Sequence, residues 1–83
     1  MKITRVGVDL AKSVFQVHGV DRWGQVVWKR QLKRSGWLKI LTEKVEPGCE
    51  IGMEACSGAH HWARELERRG YRVKLIPPQF SHM

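Results

Sequence analysis

The hydrophobic periodicity of this chain changes at Gly36, and that change constrains the fold more than any other feature. Before Gly36 the chain has three strand-like segments: apolar and polar residues alternate in the first, and the other two are β-branched runs. These segments are residues 3–10, 13–20 and 25–32. Asp21-Arg22-Trp23-Gly24 separates the second from the third and has the Asp and Gly that favour a short turn. We therefore predict three antiparallel strands, the last two joined as a hairpin.

After Gly36 the chain alternates helical and strand patterns. Apolar residues between 37 and 45 recur at intervals of three and four until Pro47-Gly48, which predicts a helix over that stretch. A short strand over 50–53 follows, and Ser57-Gly58 caps a second helix over 59–69 that ends at Gly70. A fifth strand over 72–76 ends at Pro77-Pro78, because proline is excluded from the interior of a strand or a helix.

The resulting order, β-β-β-α-β-α-β, restricts the topology. A right-handed crossover through the first helix places the fourth strand parallel to, and beside, one of the first three. If the fourth strand lies beside the first, the sheet is mixed and has the order found in ribonuclease H. We expect this α/β, ribonuclease-H-like mixed sheet.

Length and composition narrow the class of protein. A chain of 83 residues forms one domain, which we assign to residues 1–80 with a tail at 81–83. No apolar run is long enough to span a membrane, and the charges of Lys2, Arg5 and Asp9 interrupt any secretory signal. Two cysteines, Cys49 and Cys56, are too few for a disulfide framework. We expect a cytoplasmic protein with reduced thiols.

A net charge of +7 predicts an anionic partner, and nucleic acid is the commonest one. Basic residues are concentrated between positions 29 and 44, where Glu43 is the one acid. We expect the phosphate contacts to come from this cluster: Lys29, Arg30, Lys33 and Arg34. Such a run is equally typical of a solvated strand edge. Lys12 is a further candidate for phosphate, or a loop lysine.

Two of the eight carboxylates have no obvious surface role. Asp9 closes the first strand, and Glu54 follows the fourth strand where the next helix begins. If those strands are neighbours, the two carboxylates could share hard divalent cations of the kind that assist phosphodiester cleavage. The alternative is that Asp9 is a turn residue and that Glu54 is stabilised by the helix dipole.

Cys56, His60 and His61 suggest zinc or a Cys/His pair, but their spacing is wrong for either. We instead expect His60 in the first turn of the second helix and Cys56 as a small buried residue. The four tryptophans could stack on bases, although Trp at strand or helix periodicity is more often core. We expect Trp37 and Trp62 in the core.

Three strings resemble the DEDD-type transposases of bacterial insertion sequences, a group related to bridge-RNA-guided recombinases. The strings are GVDLAK at 7–12, GMEACSGAHHWAR at 52–64 and PPQF at 77–80. This resemblance implies an amino-terminal fragment of a RuvC-like domain, in which Asp9 is the first acid of the catalytic set and Glu54 is the second. The two later acids and the nucleophilic serine of the family have no counterpart in this sequence.

For the complete protein, the resemblance implies Mg²⁺-dependent DNA transposition, with Mn²⁺ as a substitute, and a structured guide RNA. We also expect a homo-oligomer, because the segment missing from this chain would normally cover one face of the sheet, and the apolar surface left exposed favours self-association. For this chain alone it implies an incomplete site that does not turn over efficiently. Two other functions stay open: a non-catalytic nucleic-acid-binding module, and an actin-like or sugar-kinase-type ATPase fragment. Ala11 stands against the ATPase, because a phosphate-cradling turn needs glycine there.

Overall fold

Five strands and two helices make up the fold in a computed structural model that describes residues 2–56 and 58–77. The strands are β1 Arg5–Asp9, β2 Val14–Val20, β3 Val26–Lys33, β4 Glu50–Glu54 and β5 Arg72–Ile76. The helices are α1 Trp37–Lys44, between β3 and β4, and α2 Ala59–Arg68, between β4 and β5. The predicted order of elements is confirmed.

The five strands form one mixed sheet in the order β3-β2-β1-β4-β5. Antiparallel pairing joins β1 to β2 and β2 to β3, whereas β4 is parallel to both β1 and β5. The fourth strand therefore lies beside the first, one of the three positions that the crossover argument allowed. A bulge between Gly19 and Val20 shifts the register at the end of the β2–β3 hairpin.

Both helices pack on one face of the sheet. Val6 and Val8 of β1, with Ile51 and Met53 of β4, point into a core that also holds the buried residues of α1 and α2. At its centre, the ring of Trp37 meets those of Phe15 and Trp62 edge to face, with centroids 5.1 and 5.4 Å away. Trp37 is fully buried and Trp62 half-buried, so both lie in or against the core as expected.

The opposite face of the sheet, which we call the open face, carries no helix from residues 2–56 and 58–77. Alternation along the strands and the pairing register place the following residues on it: Arg5, Gly7 and Asp9 of β1; Gln16 and His18 of β2; Lys29, Gln31 and Lys33 of β3; Glu50, Gly52 and Glu54 of β4; Arg72, Lys74 and Ile76 of β5.

Several predicted boundaries need correction. The first strand covers Arg5–Asp9 rather than residues 3–10, and α2 ends at Arg68, one residue early. Gly58 is the N-cap of α2, with a positive φ of 90° and no side-chain cap, while Ser57 lies outside the described residues. Gly70, at φ 93°, follows α2 in the left-handed conformation that ends helices. Among the described residues, no helix has the length and apolar character needed to cross a membrane.

Candidate functional site

Asp9 and Glu54 lie side by side on neighbouring parallel strands. The register of β1 and β4 pairs Gly7 with Gly52 and Val8 with Met53. Asp9 and Glu54 are the next residue of each strand, and both face away from the core, because their neighbours Val8 and Met53 face into it. The expected juxtaposition of these two carboxylates at the carboxyl ends of their strands is therefore confirmed.

Neither carboxylate is engaged by the described part of the chain. Asp9 is exposed and Glu54 half-buried, and neither accepts a hydrogen bond or forms an ion pair with residues 2–56 and 58–77. Across the sheet, Asp9 pairs with Gln16 and Glu54 with Ile76. Residues 2–56 and 58–77 therefore leave the carboxylate oxygens open to an external ligand.

The donor set suits a hard cation but does not complete its coordination. Carboxylate oxygens are the ligands that Mg²⁺ prefers, and six are needed for its near-octahedral shell. Within the described ranges, no group of three His, Cys, Asp or Glu residues is close enough to hold a metal ion. Glu50 shares the open face with Glu54 but pairs with Arg5, at the other end of the ladder. Asp9 and Glu54 by themselves therefore supply too few oxygen ligands to complete such a shell.

Three of the five predicted phosphate-binding residues meet around one cleft. Lys12, Lys33 and Arg34 line an open cavity of about 370 Å³ together with Ser13, whose carbonyl accepts a hydrogen bond of 2.9 Å from the Arg34 backbone N–H. Lys12 follows Asp9 by three residues, so the cleft lies near the carboxylate end of β1.

The other two, Lys29 and Arg30, lie farther along β3 and line a separate groove with Gln16. All five cations are exposed, and none forms an ion pair with the part of the chain that the structure describes. Because β3 is an edge strand, the solvated-edge interpretation and the phosphate-binding interpretation both fit this position.

The two thiols have opposite environments. Cys56 is exposed, so the expectation that it is buried was wrong: it follows β4 in a loop, where no core residue covers it. Cys49 is the buried thiol, and its Sγ donates to the Ile3 carbonyl at 3.3 Å. Burial, and then the charge of Glu46, raise the pKa of Cys49, which keeps it a neutral thiol. His60 lies in the first turn of α2, as expected.

Sequence reasoning missed one feature, at the turn between β2 and β3. Trp23 is 74% exposed, and the Arg22 guanidinium lies 4.6 Å from its ring centroid. The two residues line an open cavity of about 480 Å³ together with Lys2, Thr4 and Asp21. The available signal was a tryptophan inside an otherwise polar turn, where no core can cover it.

Comparison with known proteins gives a consistent family. The chain is 54% identical over 80 residues to a probable family 20 transposase of Pseudomonas aeruginosa, covering 96% of this chain and 23% of that one. It is 43% identical over 74 residues to the transposase for insertion sequence element IS1111A of Coxiella burnetii, covering 89% and 20%. The transposase for element IS1328 of Yersinia enterocolitica is 36% identical over 78 residues, covering 94% and 23%.

Neither a family model nor a solved structure matches the chain. The chain spans only about a fifth of the length of the curated relatives it matches. Its similarity to them nevertheless extends over nearly all of its own residues. Along almost its entire length, the chain is therefore homologous to a segment of insertion-sequence transposases.

Proposed function

We propose that this chain is the amino-terminal part of the catalytic domain of a DNA transposase, in which Asp9 and Glu54 hold a divalent cation for strand cleavage and transfer. The observation that carries this proposal is the register of β1 and β4, which brings the two carboxylates to adjacent positions on the open face. The names of the relatives support the family, and the register supports the site.

The sheet order supports a ribonuclease-H-like, and specifically RuvC-like, fold. Three antiparallel strands followed by two parallel ones in the order β3-β2-β1-β4-β5 are what that fold requires. Asp9 and Glu54 then take the places of the first two acids of a DEDD set. The two remaining acids would come from a part of the complete protein beyond these residues.

Mg²⁺, or Mn²⁺ in its place, lowers the pKa of an attacking water or hydroxyl and stabilises the leaving oxygen when bound in such sites. The residues of this chain supply the rest of the arrangement. Asp9 and Glu54 offer anionic oxygens on a rigid sheet, and Lys12, Lys33 and Arg34 offer positive charge around the cleft that follows β1 in the chain. A phosphodiester backbone held by these cations would lie near the carboxylates.

DNA is the proposed substrate, and a structured guide RNA is a second proposed partner of the complete protein. The exposed, unpaired cations of β3 suit either backbone, because phosphate contacts depend on charge density rather than on base sequence. Homo-oligomerisation of the complete protein and a cytoplasmic location stay predictions.

A thermal-shift titration with Mn²⁺ tests the site. A free concentration about ten times the dissociation constant stabilises a protein by about 1.4 kcal/mol, or about 6 to 11 °C in Tm for a domain of this size. With two carboxylate ligands, we expect a dissociation constant on the order of 1 mM. Glu54→Gln should abolish most of the shift.

Glu50→Gln is the matched control, since Glu50 lies on the same face of the same strand, four residues away. It should change the starting Tm without changing the Mn²⁺ response. An equal Mn²⁺ response in the wild-type chain and in the Glu54→Gln variant would show that these carboxylates do not bind the metal.

The second candidate is a non-catalytic nucleic-acid-binding module, which the five unpaired cations favour. It predicts salt-dependent binding to DNA or RNA that does not change in Asp9→Asn or Glu54→Gln, in the presence or absence of Mn²⁺. The transposase proposal predicts that Mn²⁺ strengthens binding and that either substitution removes this effect. The ATPase alternative has no supporting observation in the structure.

A further inference from the structure

Hydrogen bonds inside the turn between β2 and β3 fix its backbone. Asp21 is only 4% exposed, and its Oδ1 accepts hydrogen bonds from the backbone N–H groups of Trp23 and Gln25, at 2.9 and 3.0 Å. The Asp21 N–H donates to the Gln25 carbonyl at 3.0 Å, and Gly24 takes the positive φ of 82° that closes the turn. The backbone that carries Trp23 is therefore fixed before any ligand arrives.

Trp23 is exposed where the turn has no structural need for it. Its 74% exposure is the highest among the exposed large hydrophobic side chains of the described residues, and Asp21 and Gly24 already supply the turn chemistry. Burying a tryptophan is one of the largest apolar gains available to a small domain, and here that gain is forgone. The Arg22 guanidinium lies over one face of the ring, and the residue nevertheless stays 74% exposed.

The residues that line the cavity beside the ring are complementary to a nucleobase and its phosphate. Its volume of about 480 Å³ falls within the range of about 300 to 1,000 Å³ typical of small-ligand sites. Lys2 and Arg22 line it with positive charge, and Thr4 and Asp21 add oxygen acceptors for ring N–H or amino groups. Asp21 uses only Oδ1 in hydrogen bonds within the described ranges, which leaves Oδ2 for such a contact.

We propose that the tip of the β2–β3 hairpin binds an unpaired nucleobase, which stacks on Trp23 while Lys2 and Arg22 contact the adjoining phosphate. An aromatic platform next to cations is the arrangement by which single strands are bound without sequence preference. The proposal shares with the proposed function only its nucleic-acid partner. It requires neither a metal ion nor Asp9 and Glu54.

The test compares two proteins on two strands by fluorescence anisotropy. The strands are a labelled oligothymidylate and an abasic strand of the same length, which keeps the phosphates and lacks the bases. The wild-type chain should bind the base-containing strand about 5-fold or more tightly than the abasic strand, at the lower end of the range for base–aromatic stacking. Trp23→Ala should remove this preference, and Trp23→Phe should retain most of it.

Val26→Ala is the matched control, because Val26 is 56% exposed and lies three residues farther along the same hairpin. It should leave the preference unchanged, and circular dichroism should give the same Tm for all variants. An oligouridylate arm identifies the source: a larger effect of Trp23→Ala on this strand assigns the site to RNA, and a smaller one assigns it to DNA. An equal effect assigns the site to an unpaired base of either.

The proposal would be overturned if Trp23→Ala weakened binding to both strands equally, or weakened binding to neither. A Trp23→Ala effect confined to self-association in sedimentation would also overturn it, because the tip would then be a protein contact. The titration contains no divalent metal, so its outcome does not depend on a cation held by Asp9 and Glu54. A failed Mn²⁺ response would therefore refute the proposed metal site and leave this result standing.

Discussion

Lys29→Ala combined with Lys33→Ala offers a quantitative test of the basic edge strand. Both lysines lie on the open face of β3, where they pair with His18 and Val14 of β2. Both are exposed and without an ion pair in the described residues, so neither contributes a salt bridge to stability. The double substitution should therefore leave the free energy of unfolding nearly unchanged and act on nucleic-acid binding.

Counterion release sets the expected magnitude. Each neutralised phosphate contributes about 0.9 to the slope of log K against log salt for duplex DNA, and about 0.7 for a single strand. Loss of two contacts lowers the slope by about 1.8 or 1.4 respectively. Between about 50 and 200 mM salt, the wild-type chain should then lose about 7- to 12-fold more affinity than the variant.

Fluorescence anisotropy at several salt concentrations measures this slope. The matched control is Arg68→Ala combined with Arg69→Ala, which removes the same amount of positive charge from the carboxyl end of α2 and the residue that caps it, on the other side of the sheet. Both arginines already form ion pairs with Glu65, at 3.2 and 3.0 Å. If this control lowers the slope as much as the lysine pair does, net charge alone governs binding, and the assignment of phosphate contacts to β3 is wrong.

Burial, and then the nearby Cys49, raise the pKa of the Tyr71 hydroxyl. The stability that this shift contributes is fully present below the ordinary tyrosine pKa of about 10 and is lost as pH rises above it. Tyr71→Phe loses the hydrogen bond to the Val45 carbonyl, so it should cost about 1 kcal/mol at neutral pH but flatten the alkaline decline in urea denaturation. Trp37→Ala should lower the free energy of unfolding by about 3 to 5 kcal/mol, much of the total for a domain of this size, as measured by the same method. The purified chain should not cleave DNA in the presence of Mg²⁺, as judged on a denaturing gel. Cleavage that disappears in the Asp9→Ala variant would contradict this and would mean that two carboxylates suffice.

The topology was predictable because it follows from local patterns and one handedness rule. Period-two alternation identified the first strand, β-branched runs identified the second and third, and the spacing from Trp37 to Val45 identified the first helix. The right-handed crossover then left few positions for β4, and pairing beside β1 brought Asp9 and Glu54 together. The carboxylate pair could thus be predicted without any long-range information beyond the order of elements.

Details that depend on tertiary packing were not predictable. Two such details lie at Gly19. The register shifts after it, and it packs so close to Ile3 that a Cβ on Gly19 would lie 2.8 Å from Ile3 Cδ1. Nothing in the sequence shows that these two residues touch. The exposure of Cys56 likewise depends on how far the loop before α2 stands from the core, and composition favoured burial.

The glycine pair beneath the carboxylates links the fold to the proposed site. Gly7 and Gly52 pair on the open face, one step from Asp9 and Glu54. Neither has a positive φ, and a Cβ on Gly7 would meet no atom within 4 Å, so the backbone of the described chain does not need glycine at either position. Glycine inside a strand weakens it and often marks close approach by a ligand or another backbone. The absence of side chains at Gly7 and Gly52, beside Asp9 and Glu54, therefore favours a site that a ligand or a backbone segment from outside these residues approaches closely.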